Sequence, residues 1–118
     1  MADGCVLCAI VAGDAPAKLV AEWPGAVAIV PLNPVVEGHV IVLPRRHVED
    51  ATTHPGVTGY VMECAAEFAE RPANIITSAG GAATQTVFHL HVHIVPRRDG
   101  DGLMLPWSPG TSEVTDGR

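Results

Sequence analysis

The sequence predicts an α+β domain: an antiparallel sheet of about five strands, with one short N-terminal helix and one longer helix packed on it. Three observations carry that prediction. Runs rich in Val, Ile and Leu, bounded by Pro, Gly or Asn, have strand length at 26–30, 39–43, 73–78 and 87–95. Trp23-Pro24-Gly25 supplies turn chemistry between residues 18–22 and 26–30, which suits two antiparallel strands. Further on, Val57, Tyr60, Val61, Cys64, Ala65 and Phe68 recur at helical spacing and form one apolar face.

Taken in order, Cys5 to Ala12 reads as a short helix, with Val6, Leu7 and Ile10 on its apolar side and Gly13-Asp14 as a stop. The hairpin follows. Pro31 to Gly38 contains two prolines that deny ladder donors and a glycine free to take unusual angles, so it is a loop of the kind that lines sites. His39 to Leu43 is almost wholly apolar after its first residue, which places it centrally in the sheet. Thr52-Thr53-His54-Pro55 opens the long helix with a capping hydroxyl and a first-turn proline, and Arg71-Pro72 closes it. Cys64 falls in the core and His54 at the surface.

Ala73 to Ser78 is the next strand. Ala79 to Ala83 is a small-residue loop whose amides can approach a phosphate, although it lacks the Gly-Lys-Ser/Thr ending of a Walker loop. Pro96 stops the last strand, Asp99 to Gly102 is a turn, Leu103 to Trp107 is apolar enough to dock and tune substrate choice, and Ser108 to Arg118 is expected to be mobile.

A chain of 118 residues fits one domain spanning residues 1–118, large enough to bury about two-thirds of its unfolded surface. With an apolar share of 47% and only 4% aromatics, the core must be aliphatic. A net charge of −6 leaves no broad basic surface to follow a nucleic-acid backbone, so polymeric nucleic acid is excluded as a partner. Met1-Ala2-Asp3-Gly4 lacks the positive start of a signal peptide, and no apolar run reaches the 18 to 20 residues or so that cross a bilayer. The expectation is a cytoplasmic protein with no membrane partner. Three cysteines in a reducing compartment are metal ligands or core residues rather than a disulfide framework.

The chemistry concentrates in Val87-Phe88-His89-Leu90-His91-Val92-His93-Ile94-Val95. Strand alternation puts His89, His91 and His93 on one face and Leu90, Val92 and Ile94 on the other. Six histidines in this length would form such a row by chance about once in a hundred sequences, so a polar strand face is the weaker explanation. A neutral imidazole can attack phosphorus and later leave, splitting one displacement into two easier ones. A row of histidines can also hold a catalytic metal. Cys5-Val6-Leu7-Cys8 offers two thiolates at zinc spacing, half of a tetrahedral site.

The run from His89 to Val95 resembles the signature of the histidine-triad (HIT) nucleotide hydrolases and transferases, His-φ-His-φ-His-φ-φ, with every apolar position filled. The resemblance extends to Gly38-His39-Val40-Ile41-Val42-Leu43-Pro44-Arg45-Arg46-His47 and to Cys5-Val6-Leu7-Cys8, covering residues 4 to 98. It implies a HIT-like sheet, a homodimer, and a structural zinc of the family's zinc-bearing branch on Cys5, Cys8, His47 and His89, with no organic cofactor. It further implies a purine nucleotide as substrate and His91 as nucleophile toward the α-phosphorus of a nucleoside phosphoramidate, acyl-nucleotide or dinucleoside polyphosphate. His93 would bond phosphate oxygens or the departing group, which Thr86 would assist. Leu32, Asn33, His39, Ser78, Gln85 and Thr86 would face the substrate, and the first helix would roof the base pocket.

Two positions depart from the family pattern. Pro31 stands where an acidic residue commonly holds the ribose hydroxyls, so Asn33 takes over or the ribose is held loosely; Ser78 stands where asparagine is usual and reaches less far. Two other functions fit the same residues: a hydrolase with a catalytic metal on the histidine row, and a nucleotide-binding regulatory protein with little turnover.

Overall fold

Residues 4–105 are described in the computed structural model. The elements run α1 (Val6–Ala12), β1 (Leu19–Trp23), β2 (Ala26–Ile29), β3 (Val40–Pro44), α2 (Pro55–Phe68), β4 (Ala73–Ile76), a 3₁₀ turn at Gly81–Ala83, and β5 (Val92–Pro96). The strands form one sheet in the order β1-β2-β3-β5-β4, antiparallel at every step. The docking and mobility expected of Trp107 and of Ser108 to Arg118 lie outside the described residues. No helix among the described residues is long and apolar enough to cross a membrane.

Local chemistry explains the elements. Trp23 pairs with Ala26, which leaves Pro24 and Gly25 as a two-residue turn. Gly25 donates its N–H to Tyr60 Oη at 3.0 Å, fastening the hairpin tip to α2, and a Cβ at Gly25 would lie 3.0 Å from the Tyr60 ring. α1 ends at Gly13, whose φ of +84° is the left-handed conformation glycine adopts without a Cβ penalty. α2 opens with Pro55 in its first turn and His54 as its cap, so the cap is an imidazole Nδ1 accepting from Val57 N–H and not a threonine hydroxyl.

β2 and β3 are buried along their whole length, as their unbroken apolar sequences require. One set of their side chains (Ala26, Ala28, Val40 and Val42) packs with Leu90, Val92 and Ile94 against Val61, Cys64 and Ala65 of α2. The alternate set (Val27, Ile29, Ile41 and Leu43) packs against Leu7 of α1, with Ile10, Val11 and Val87 at the margin. The helices therefore cover opposite faces of the sheet. Cross-strand partners share a face, so the pairing of Ile41 with His93 puts His93 on the face that α1 covers in part.

The structure corrects the histidine strand. β5 begins only at Val92, and residues 87–91 are irregular. Leu90 N–H donates to Val48 O at 2.8 Å, Gln85 Nε2 donates to Val87 O, and His91 Nδ1 binds the His89 carbonyl. These bonds take backbone groups a ladder would use, so strand alternation covers His93 and reaches neither His91 nor His89.

Candidate active site and metal centre

Four ligand atoms converge where α1, the turn after β3 and the irregular segment meet. Cys5 Sγ lies 3.5 Å from His89 Nδ1, and Cys8 Sγ lies 3.3 Å from His47 Nδ1 and 3.5 Å from His89 Nδ1. The two imidazole Nδ1 atoms are 3.2 Å apart. A tetrahedron built on Zn–S and Zn–N bonds of about 2.3 and 2.05 Å has S–N and N–N edges of about 3.5 and 3.3 Å. The observed edges fit that figure, and all four donors fall within 4.8 Å of one another.

Hydrogen bonds outside the cluster support the same reading. His89, wholly buried, donates Nε2–H to the Pro44 carbonyl at 2.9 Å, so its proton sits on the far nitrogen and the Nδ1 lone pair faces the sulfurs. Cys5 also caps α1, its sulfur accepting Cys8 N–H at 3.3 Å. Burial, followed by the neighbouring His47 and His91, holds the His89 pKa below its ordinary value against the opposing pull of the Pro44 carbonyl. A neutral imidazole is the form that ligates metal. Of the histidine row only His89 joins this cluster, which removes the geometric support for a catalytic metal spread over all three.

The other two histidines make a second group. His91 donates Nδ1–H to the His89 carbonyl at 2.7 Å, which leaves Nε2 as its lone-pair nitrogen. Its own carbonyl accepts from Thr77 Oγ1–H at 2.8 Å. The rings of His91 and His93 are 5.1 Å apart, and those of His93 and His39 are 5.2 Å apart. His39 Nε2 and His93 Nδ1 are separated by 3.0 Å. Burial, then the nearby His91 and His39, lowers the His93 pKa to about 4, and burial lowers that of His39. Both rings are neutral near pH 7.

The remaining expected site residues are dispersed. Leu32 (96% exposed) and Asn33 stand out on the loop between β2 and β3, and Ser78 is half-buried beyond β4. Thr86 is exposed and, with Cys5, Val6, His47, Val87 and Phe88, lines a cavity of about 380 Å³ beside the four-donor cluster. Gln85 differs from its expected part. It is buried, and its amide is turned inward: Oε1 accepts from Gly80 N–H at 2.7 Å while Nε2 donates to Glu49 O and Val87 O. It ties three loops together instead of facing a substrate. His39 is buried beside His93, directly before β3.

Sequence reasoning missed Thr77, whose hydroxyl fixes the His91 backbone; its only signal was a hydroxyl residue one position past a strand. It also missed the Pro44 carbonyl and the Val35 amide, backbone groups that no side-chain pattern reports.

The HIT domain model matches residues 12–100. An uncharacterised HIT-like protein of Mycobacterium tuberculosis is 41% identical over 110 residues, covering 86% of this chain and 76% of that protein. An adenosine 5'-monophosphoramidase of Saccharomyces cerevisiae is 29% identical over 112 residues, covering 87% of this chain and 69% of that protein. The crystal structure of a Zn-bound histidine triad family protein from Mycobacterium smegmatis matches with a TM-score of 0.77 at 38% identity, over 90% of this chain and 84% of that one. Sequence, sheet order and histidine geometry agree, and the chain belongs to the HIT domain family.

Proposed function

We propose that the protein is a nucleotide phosphohydrolase or nucleotidyl transferase acting at the α-phosphate of a purine nucleoside phosphoramidate, acyl-nucleotide or dinucleoside polyphosphate. The observation that carries this reading is the bond from His91 Nδ1–H to the His89 carbonyl, which leaves the lone pair on Nε2 and supports that nitrogen as the nucleophile. Its lone pair forms an N–P bond while the bond from phosphorus to the leaving group breaks, and the leaving group departs with that electron pair. The His89 carbonyl, still bonded to Nδ1–H, offsets the positive charge that develops on the ring. Neutral His93 donates to a phosphate oxygen or to the departing group, and the Thr86 hydroxyl, with Ser78 and Asn33, approaches the substrate from the surrounding loops. Water then attacks phosphorus and gives up a proton to solvent, the N–P bond breaks with its electron pair returning to Nε2, and nucleoside monophosphate leaves with His91 restored.

The four-donor cluster of Cys5, Cys8, His47 and His89 suits zinc, and a closed set of four ligands gives that ion a structural role. The yeast relative's name supports the phosphoramidate class first. Cys5 and Cys8 in a ligand cluster and Cys64 in the core suit a reducing, cytoplasmic setting. The edge position of β4, with Ile75 and Met62 each 37% exposed, supports a homodimer, which sedimentation velocity tests.

The test is nucleoside monophosphate release from adenosine and guanosine phosphoramidates, an acyl-adenylate and diadenosine polyphosphates, by the wild type and His91→Ala. Turnover that vanishes in His91→Ala, with metal content and circular dichroism unchanged, supports the reading and identifies the leaving-group class. Activity that survives the substitution overturns His91 as nucleophile, and nucleotide binding without turnover assigns the protein a regulatory role.

A further inference from the structure

The loop between β2 and β3 sends one backbone group into the histidine pair. Val35 N–H donates to His39 Nδ1 at 3.1 Å, although the Val35 side chain is itself 55% exposed. An amide proton can be accepted only by a ring nitrogen with a free lone pair, so the single proton of neutral His39 sits on Nε2. That nitrogen is 3.0 Å from His93 Nδ1. Since Nε2 of His39 is the donor, Nδ1 of His93 must accept, and the proton of His93 sits on its own Nε2. Each assignment follows from the one before, beginning at an amide that cannot be deprotonated.

We propose that the Val35 amide, acting through His39, holds His93 in the tautomer whose Nε2–H is free to donate to the substrate. Val35 and His39 are thus positioning residues for the reaction proposed above, on which the role of the proton rests; the tautomer itself does not depend on it. Reversing the donor at His39 reverses His93, turning a hydrogen-bond donor toward the reacting phosphate into an acceptor facing an anion. The exposed Val35 side chain has no part in this, and only loss of its N–H matters.

Long-range ¹H–¹⁵N correlation spectra of the metal-loaded protein at pH 8 read ring protonation directly, in the absence of substrate. The expected result is protonated Nε2 and unprotonated Nδ1 in both His39 and His93, unchanged in Val35→Ala. Val35→Pro, which deletes the donor, mixes both tautomers of His39 and with it those of His93. Should that variant fail to fold, His39→Gln and His39→Glu carry the test: Gln accepts from Val35 and donates to His93, preserving its Nε2–H, whereas Glu can only accept and forces a proton onto His93 Nδ1. A wild-type His93 protonated at Nδ1, or a His93 pattern indifferent to His39→Glu, overturns the proposal. Adding adenosine monophosphate then separates the two readings: a shift of the His93 Nε2–H resonance supports its facing the phosphate, while a correct tautomer with no shift overturns the part assigned to it and leaves the His91 chemistry to its own test.

Discussion

The imidazole of His89 donates Nε2–H to the Pro44 carbonyl at 2.9 Å, and this bond turns its other nitrogen toward Cys5 and Cys8 at 3.5 Å each. The end of β3 thereby selects which nitrogen of a residue 45 positions later serves the ligand cluster. Metal affinity and the stability of the N-terminal half are consequently linked.

Cys8→Ser should lower bound zinc well below one ion per chain, measured by elemental analysis. It should also lower Tm by about 10 °C, the equivalent of about 2 kcal/mol for a domain near this size. Chelation of the wild type should reproduce the loss, and an unchanged Tm after complete metal removal would show that the cluster does not support the fold.

His93 has a pKa of about 4 against an ordinary 6.5, so the unfolded chain binds more protons than the folded one between those values. Its contribution to stability is complete above about pH 6.5 and is lost as pH falls toward 4. Burial of His39 and His89 acts in the same direction. Urea midpoints should fall steadily from pH 7 to pH 4.5, and more shallowly in His93→Gln; equal slopes would remove His93 as a source of the dependence.

Arg97 is held by Asp101 through both Nε and Nη2, at 2.8 and 3.0 Å, and by the Leu103 carbonyl and Asn74 of β4. Asp101 also accepts the Arg98 and Leu103 amides, and the Arg97 guanidinium leads the causes that hold its pKa well below the carboxylate range. Asp101→Asn should free this turn from β4. The measurement is hydrogen exchange: the amides of Arg98 and Leu103 should exchange about tenfold faster or more, while those of β3 stay protected.

Thr84 has φ +74°, a left-handed conformation that a β-branched residue occupies under strain. It stands directly before Gln85, whose amide joins Gly80, Glu49 and Val87. Thr84→Gly should relieve the strain and raise stability by about 0.5–1 kcal/mol in denaturant titration, net of the added freedom of the unfolded chain.

The sheet was legible because its hydrophobic runs carry strand-length signals and because Pro24-Gly25 marks the hairpin. The four-donor cluster was legible because Cys5-Val6-Leu7-Cys8 offers two thiolates at zinc spacing and the family resemblance pointed to His47 and His89 as the other two ligands. What escaped was backbone chemistry. The expected strand from Val87 breaks before Val92 because the carbonyls of residues 48, 87 and 89 and the amide of residue 90 are bonded outside the sheet ladder, and no letter of the sequence reports that. Gln85 shows the converse: a polar letter beside the triad looks outward-facing, yet burial turns it into a tie between loops.

α1 is seven residues long, shorter than a helix that persists alone in water. Its first turn rests on the Cys5 sulfur, which also faces His89, while the Cys8 sulfur one turn on faces His47 and His89. During synthesis this helix emerges early but cannot settle until His89 follows, 84 residues after Cys5. At about 5–20 residues per second, that is a wait of roughly 4 to 17 s. α1 is therefore translated well before the histidines that fix it in place, and for that interval its two thiols travel uncovered.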